Sequence, residues 1–321
     1  MVSRLRAVRA YWADAGMCAF LNAVHLRHRV PDGARDRLAE YVAECERLGP
    51  EQYYRAAADA PSVPEHAGHW RWPSPVTVGL PRNDHAHVEW FPCARGPAAP
   101  TALILHALMS ASSIGYIALA RRFNARGWNA AFVHLPFHYE RRPPGTFNGE
   151  LAVSPDFVRS GQGLRQAVVE LRQVTAALRR AGCPGFGVWG TSYGAWVGGL
   201  LALLEPDLRF LVLMTPIADV AHAVWESPAL RSVRWGLRRA GIEPELVERH
   251  SHLSALGRRV PPTAPDRILL LAGAHDRITP AAGVRRLAAE WGGVPVETLP
   301  QGHFGYRLAR RAWEWGDGKF W

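Results

Sequence analysis

The chain has 321 residues, a formal net charge of +10, and 48% hydrophobic against 21% charged residues, so it can bury a large core without a disulfide or metal staple. Its apolar runs, such as 210–214 and 268–274, fall far below the roughly 18 residues of a membrane span, so no transmembrane segment is expected. The positive balance raises nucleic acid or an anionic surface as a partner. Lys319, however, is the one lysine among 38 basic residues, and the arginines come in pairs such as Arg121 with Arg122, on segments that also carry acids or apolar stripes. No nucleic-acid motif accompanies them, and no nucleic-acid partner is expected.

Residues 1–60 read as helices. Val8, Trp12, Phe20, Leu21 and Val24 lie at near-helical spacing, and 34–48 repeats the pattern behind the Pro31-Asp32-Gly33 break. Arginines and apolar residues at these spacings suit a packed helix with a solvated face better than a helix lying on a membrane. Tyr11, Asp14 and Asn22 interrupt the apolar stretch behind the basic N-terminus, which argues against a secretory leader. Cys18, Cys45, Cys93 and Cys183 are scattered with no CxxC pair, as suits reduced thiols, and a cytoplasmic location is expected. A Pro-rich connector at 61–75 closes this N-terminal helical extension (1–75).

The second expected unit is 76–321. It opens with strand-like segments at 76–80 and 85–91, joined by Pro81-Arg82-Asn83-Asp84, which is turn chemistry. His85, His87 and Glu89 alternate along the second segment. These are donor types of a metal site, but no further ligand cluster accompanies them, so the reading is a solvated strand face with no metal and no cofactor. From residue 101 onward, apolar strands at 102–106, 130–135, 185–189, 210–214, 268–272 and 294–299 alternate with helices at 114–125, 156–181, 193–204, 280–291 and 306–313. This texture predicts an α/β fold, a mostly parallel sheet with helices on both faces. About 50 residues of helix-like sequence at 216–265 interrupt it and read as a cap or lid.

The strongest local signal is Gly190-Thr191-Ser192-Tyr193-Gly194, set between a strand and a helix. A nucleophile elbow needs this arrangement, because small flanking residues let the two backbones approach while the serine sits at the turn. A serine hydroxyl also needs an oriented base. Asp276, in the turn after strand 268–272, and His303, after the next strand, lie at strand ends where loops of a parallel sheet converge on a ligand crevice. Asp219, after strand 210–214, is the alternative acid.

The run from about residue 101 to 313 resembles the α/β-hydrolase superfamily, with Ser192, Asp276 and His303 in its chain order. The motif Leu-Pro-Phe-His-Tyr-Glu-Arg-Arg at 135–142 also resembles a bacterial esterase-like branch. The resemblance implies an eight-stranded, mostly parallel sheet and a serine esterase or lipase-like hydrolase acting through an acyl-enzyme. In it Ser192 is the nucleophile, His303 the general base and acid, and Asp276 the residue that fixes the imidazole tautomer. The same fold and triad also serve thioesterases, peptidases, acyltransferases and catalytically silent binding proteins. By position, the oxyanion donors are the backbone N–H groups of Leu108 and Tyr193, with Met109 as the alternative to Leu108; Ala107 stands where relatives often carry glycine.

His138, Arg141 and Arg142 leave the same sheet edge. Arg231, Arg234, Arg238 and Arg239 lie in the lid among apolar residues, and guanidinium groups pair bidentately with carboxylate or phosphate. A crevice rimmed this way would favour an amphiphilic, anionic acyl ester as substrate. The alternative is that these arginines are solvated or paired with nearby glutamates and select nothing.

Overall fold

The computed structural model describes residues 2–56, 59–206 and 208–321. Three helices come first, α1 (Val2–His25), α2 (Ala34–Glu46) and the single turn α3 (Pro50–Tyr53). The sheet begins with β1 (Gly68–Pro73), β2 (His85–Phe91) and β3 (Thr101–Leu105), and continues through α4 (Ile114–Asn124), β4 (Asn129–His134), α5 (Phe157–Arg180), β5 (Phe186–Thr191), α6 (Tyr193–Ala202) and β6 (Leu208–Met214). The cap contributes α7 (Val220–Trp225), α8 (Arg231–Arg239) and α9 (Pro244–His250). The chain then closes with β7 (Ile268–Gly273), α10 (Ala281–Glu290), β8 (Val296–Leu299) and α11 (Arg307–Gly316).

The eight strands form one sheet in the order β1-β2-β4-β3-β5-β6-β7-β8. Only the β1–β2 and β2–β4 pairs are antiparallel. Strands β3 to β7 are almost wholly buried, because helices cover both faces. Ala102 and Ile104 of β3 face α4 and α11, while Leu103 and Leu105 face the core that α5, α6 and α10 close. Each large apolar side chain removed from water in these layers stabilises the fold by roughly 1.5–3 kcal/mol.

The opening hairpin differs from expectation. β2 lies at 85–91, but its partner is β1, with Trp70 opposite Val88, so the sheet begins ahead of the boundary expected at residue 76. Trp70 and Trp72 alternate inward, and Pro73 is tolerated because β1 is an edge strand. Residues 76–80 form a loop, not a strand. The Asp84 carboxylate accepts the backbone N–H groups of Val78 and Leu80, each at 2.9 Å, which gives this backbone a partner other than a neighbouring strand.

Helix α1 is not a loose appendage. The Asn22 side chain donates to the Pro228 carbonyl at 2.8 Å and accepts the Ser232 N–H at 2.7 Å, joining α1 to the cap. Together they form a layer over the edge of the sheet that carries Ser192.

Candidate active site

Ser192 links β5 to α6 at φ 52° and ψ −113°, a conformation that costs a non-glycine residue about 1–3 kcal/mol. Neighbouring contacts hold it there. The Ser192 N–H donates to the Met214 carbonyl at 2.8 Å. A Cβ on Gly194 would lie 2.4 Å from the Leu105 carbonyl oxygen, and one on Gly190 would lie 2.7 Å from the Ala195 Cα, so the crossing of strand and helix admits only glycine at both positions.

Ser192 Oγ is 2.9 Å from His303 Nε2, and His303 Nδ1 is 2.8 Å from Asp276 Oδ2. A carboxylate can only accept, so Nδ1 carries the hydrogen and Nε2 turns its lone pair to the serine hydroxyl. Asp276 is held in turn: Oδ1 accepts the N–H groups of Ile278 and Thr279, each at 2.8 Å, and Oδ2 accepts the Thr279 hydroxyl at 2.9 Å. Asp219 takes no part. It accepts the His222 N–H at the start of α7 and approaches Arg286.

A carboxylate not anticipated for the site comes from α1. Asp14 is fully buried and accepts two backbone N–H groups, that of Arg277 at 3.1 Å and that of His303 at 3.0 Å. It thereby ties the loop of Asp276 to the loop of His303. A Cβ on Gly302 would lie 2.7 Å from Asp14 Oδ1, so glycine permits the approach. Burial pushes the Asp14 carboxyl above its ordinary value against the pull of the two amides. Its sequence signal was one acid on a stripe with Cys18, Leu21 and His25, all of them buried.

The turn 106–109 is fixed by two neutral imidazoles. His106 Nε2 accepts the Leu135 N–H at 3.0 Å, and His138 Nε2 accepts the Met109 N–H at 3.2 Å. Met109 is therefore engaged as a donor elsewhere, whereas the Leu108 N–H has no hydrogen-bond partner among the described residues. Tyr193, as the first residue of α6, has no intrahelical partner for its N–H. Its side chain packs inward, stacked on His138.

The arginine rim is corrected by the structure. Arg141 is 1% exposed and pairs bidentately with buried Glu170 at 2.5 and 2.9 Å, while also donating to the Asn83 and His134 carbonyls. His138 is fully buried, with Nδ1 donating to the Pro136 carbonyl at 2.8 Å, and burial lowers its pKa to about 4. Arg142 is exposed and donates to the Thr146 carbonyl. The motif 135–142 braces the turn behind Ser192 and contributes no residue to the lining of the crevice over it. The 85–89 face is also less solvated than expected, since His87 is buried and 2.8 Å from His69. No group of three or more His, Cys, Asp or Glu among the described residues is arranged to hold a metal ion.

A cavity of about 390 Å³ opens over Ser192 and His303. Met17 and Leu21 of α1, Leu108, Ile217, Leu230 and Phe304 line it, and no arginine, lysine or carboxylate does so among the described residues. Larger hollows of about 770 and 790 Å³ lie at the opposite sheet edge and beside α2, away from Ser192.

No family model matches the chain. Over 195 residues, 57% of the chain, it is 27% identical to an uncharacterized protein of Mycobacterium tuberculosis found in two strains, and it covers 44% of that protein. The chain thus spans less than half the length of the curated relatives it matches. Among solved structures, TT1662 from Thermus thermophilus is similar at a TM-score of 0.50 and 20% identity, with 79% of this chain and 98% of that one covered. XC6422 from Xanthomonas campestris, described as a lidless α/β serine hydrolase, gives 0.49 and 18%, with 80% and 95% covered.

Proposed function

We propose that this chain, whose fold is that of the α/β hydrolases, is a serine hydrolase that cleaves a carboxylic ester through an acyl-enzyme. The observation that carries the reading is the line Ser192 to His303 to Asp276, at 2.9 and 2.8 Å, opening into an apolar cavity. His303 Nε2 takes the hydroxyl proton as Ser192 Oγ attacks the carbonyl carbon, and Asp276 stabilises the imidazolium. The N–H groups of Leu108 and Tyr193 receive the developing oxyanion, beside the positive end of α6. As the tetrahedral adduct collapses, the imidazolium returns its proton to the departing alkoxide. Water, deprotonated by the same nitrogen, then releases the acid.

The lining of the cavity favours an uncharged, apolar acyl group. An anionic ester, the class the arginine count suggested, would leave its charge without a partner there, at a cost of several kcal/mol.

A fluorophosphonate probe is expected to label Ser192, and Ser192→Ala is expected to abolish both labelling and turnover while thermal unfolding stays unchanged. A panel of p-nitrophenyl esters of graded chain length, beside acyl-CoA thioesters, reads the substrate class. Undiminished ester hydrolysis by Ser192→Ala overturns the mechanism.

A further inference from the structure

Helix α1 turns apolar side chains to water as well as to the core, whereas an ordinary surface helix turns its polar side to water. Its inward face carries buried Cys18, Leu21 and Val24 beside Asp14 and His25, with Asn22 partly buried. Its outward face carries Val8, Trp12 and Phe20, which are 53%, 69% and 42% exposed, with exposed Ala13, Gly16, Ala19 and Ala23 between them. The only acid of the helix is Asp14, which faces inward.

The apolar face continues beyond the helix. The Phe20 ring lies 5.6 Å from that of exposed Phe147. Met17 and Leu21, next round α1 from Phe20, line the crevice, together with Phe304, itself 40% exposed. The outer face and the crevice wall are therefore adjoining faces of one helix. Arg9 on α1, Arg277 over the Tyr11 ring at 4.6 Å, and Arg231 on the cap have no carboxylate within salt-bridge distance among the described residues.

An exposed apolar strip with a tryptophan, no acid and flanking guanidinium groups has the chemistry of a helix that lies in a lipid interface. Free arginines beside it complement anionic headgroups. We propose that the outer face of α1 docks this protein on an anionic lipid surface, so that an acyl ester can pass from that surface into the crevice. The docking stands apart from the proposed chemistry, whereas the delivery of an ester rests on it.

The test is cosedimentation of the full chain with vesicles of phosphatidylcholine alone and of phosphatidylcholine mixed with phosphatidylglycerol. Wild type and Ser192→Ala are both expected to bind the anionic vesicles, and to bind less to neutral ones and at high salt. Trp12→Glu combined with Phe20→Glu is expected to weaken binding by about tenfold or more, while hydrolysis of a water-soluble short-chain p-nitrophenyl ester is unchanged, since neither residue lines the crevice. Failure of the wild type to bind, or equal binding by the double variant, overturns the proposal. So does concentration-dependent self-association that the double substitution removes without any vesicle binding, because the face would then join two copies of this chain. If Ser192→Ala keeps full ester hydrolysis yet still binds vesicles, the chemistry fails and the docking stands.

Discussion

At the residue scale, two carboxylates near His303 do different work. Asp276 accepts from Nδ1, so Asp276→Asn would present a donor where an acceptor is needed and favour the wrong tautomer. Steady-state kinetics are expected to show kcat lowered by about 10⁴, with Asp219→Asn within a few-fold of wild type, since Asp219 caps α7 instead. If Asp219→Asn is the crippling change, the acid is misassigned. Asp14 bonds to backbone N–H groups only, and under the proposed mechanism it is a positioning residue. Removing its charge-assisted bonds to the Arg277 and His303 amides would cost roughly 1.5–3 kcal/mol, or about 10- to 100-fold in kcat if the loss falls on alignment. Asp14→Asn also removes a negative charge beside the imidazolium, so the acid limb of the kcat/KM profile is expected to move to lower pH. A lowered Tm with an unmoved pH profile would reduce Asp14 to a structural anchor.

At the element scale, the elbow depends on how closely α6 crosses β3. Gly194 has no room for a Cβ, because the obstructing atoms are the Leu105 and His106 carbonyl oxygens, backbone atoms of the central sheet that cannot rotate away. Overpacking of this kind costs about 1–3 kcal/mol, so Gly194→Ala is expected to lower Tm by roughly 2–4 °C in a chain of this length and to reduce fluorophosphonate labelling with it. An unchanged Tm would mean that α6 can lift off the sheet. The loop 135–142 supports the same element from behind. Arg141, paired with Glu170 of α5, holds the loop to the core, and His138 bonds the turn that faces Ser192. Buried, paired charge serves here as a brace, and breaking such a pair from one side typically costs 3–5 kcal/mol.

At the scale of the whole molecule, burial of histidines sets the response to acid. His25, His138 and His250 are each lowered from 6.5 to about 4, chiefly by burial. Between those values the unfolded chain binds protons that the folded chain refuses, so stability falls as pH drops from about 6.5 toward 4, and these groups contribute a constant amount above that window. Asp14 and Glu170, both raised by burial, act in the opposite direction, but burial also lowers His87, His106 and His134, so the histidines outnumber them. Thermal unfolding is expected to give a Tm clearly lower at pH 4.5 than at pH 7. An equal Tm at the two values would show that these imidazoles are not held neutral in the fold.

What the sequence determined by itself was local in origin. Apolar strands alternating with amphipathic helices from residue 101 onward specify the parallel sheet, because strand and helix periods are written into neighbouring residues. The elbow is legible for the same reason, since glycines, serine, strand and helix all lie within about a dozen positions. Asp276 and His303 were legible as turn residues after strands, and the fold brings their side chains to Ser192. The tertiary structure alone decided the rest. Asp14 meets Arg277 across 263 positions of chain, a contact that no local pattern encodes. In sequence Arg141 is a charge available to a substrate; in the fold Glu170, 29 residues away, neutralises it. Trp70 and Trp72 read as connector until β2 offered them a partner. In each case, whether a polar or apolar side chain turns to water or to the core depends on what packs against it, and that partner is assembled from distant parts of the chain.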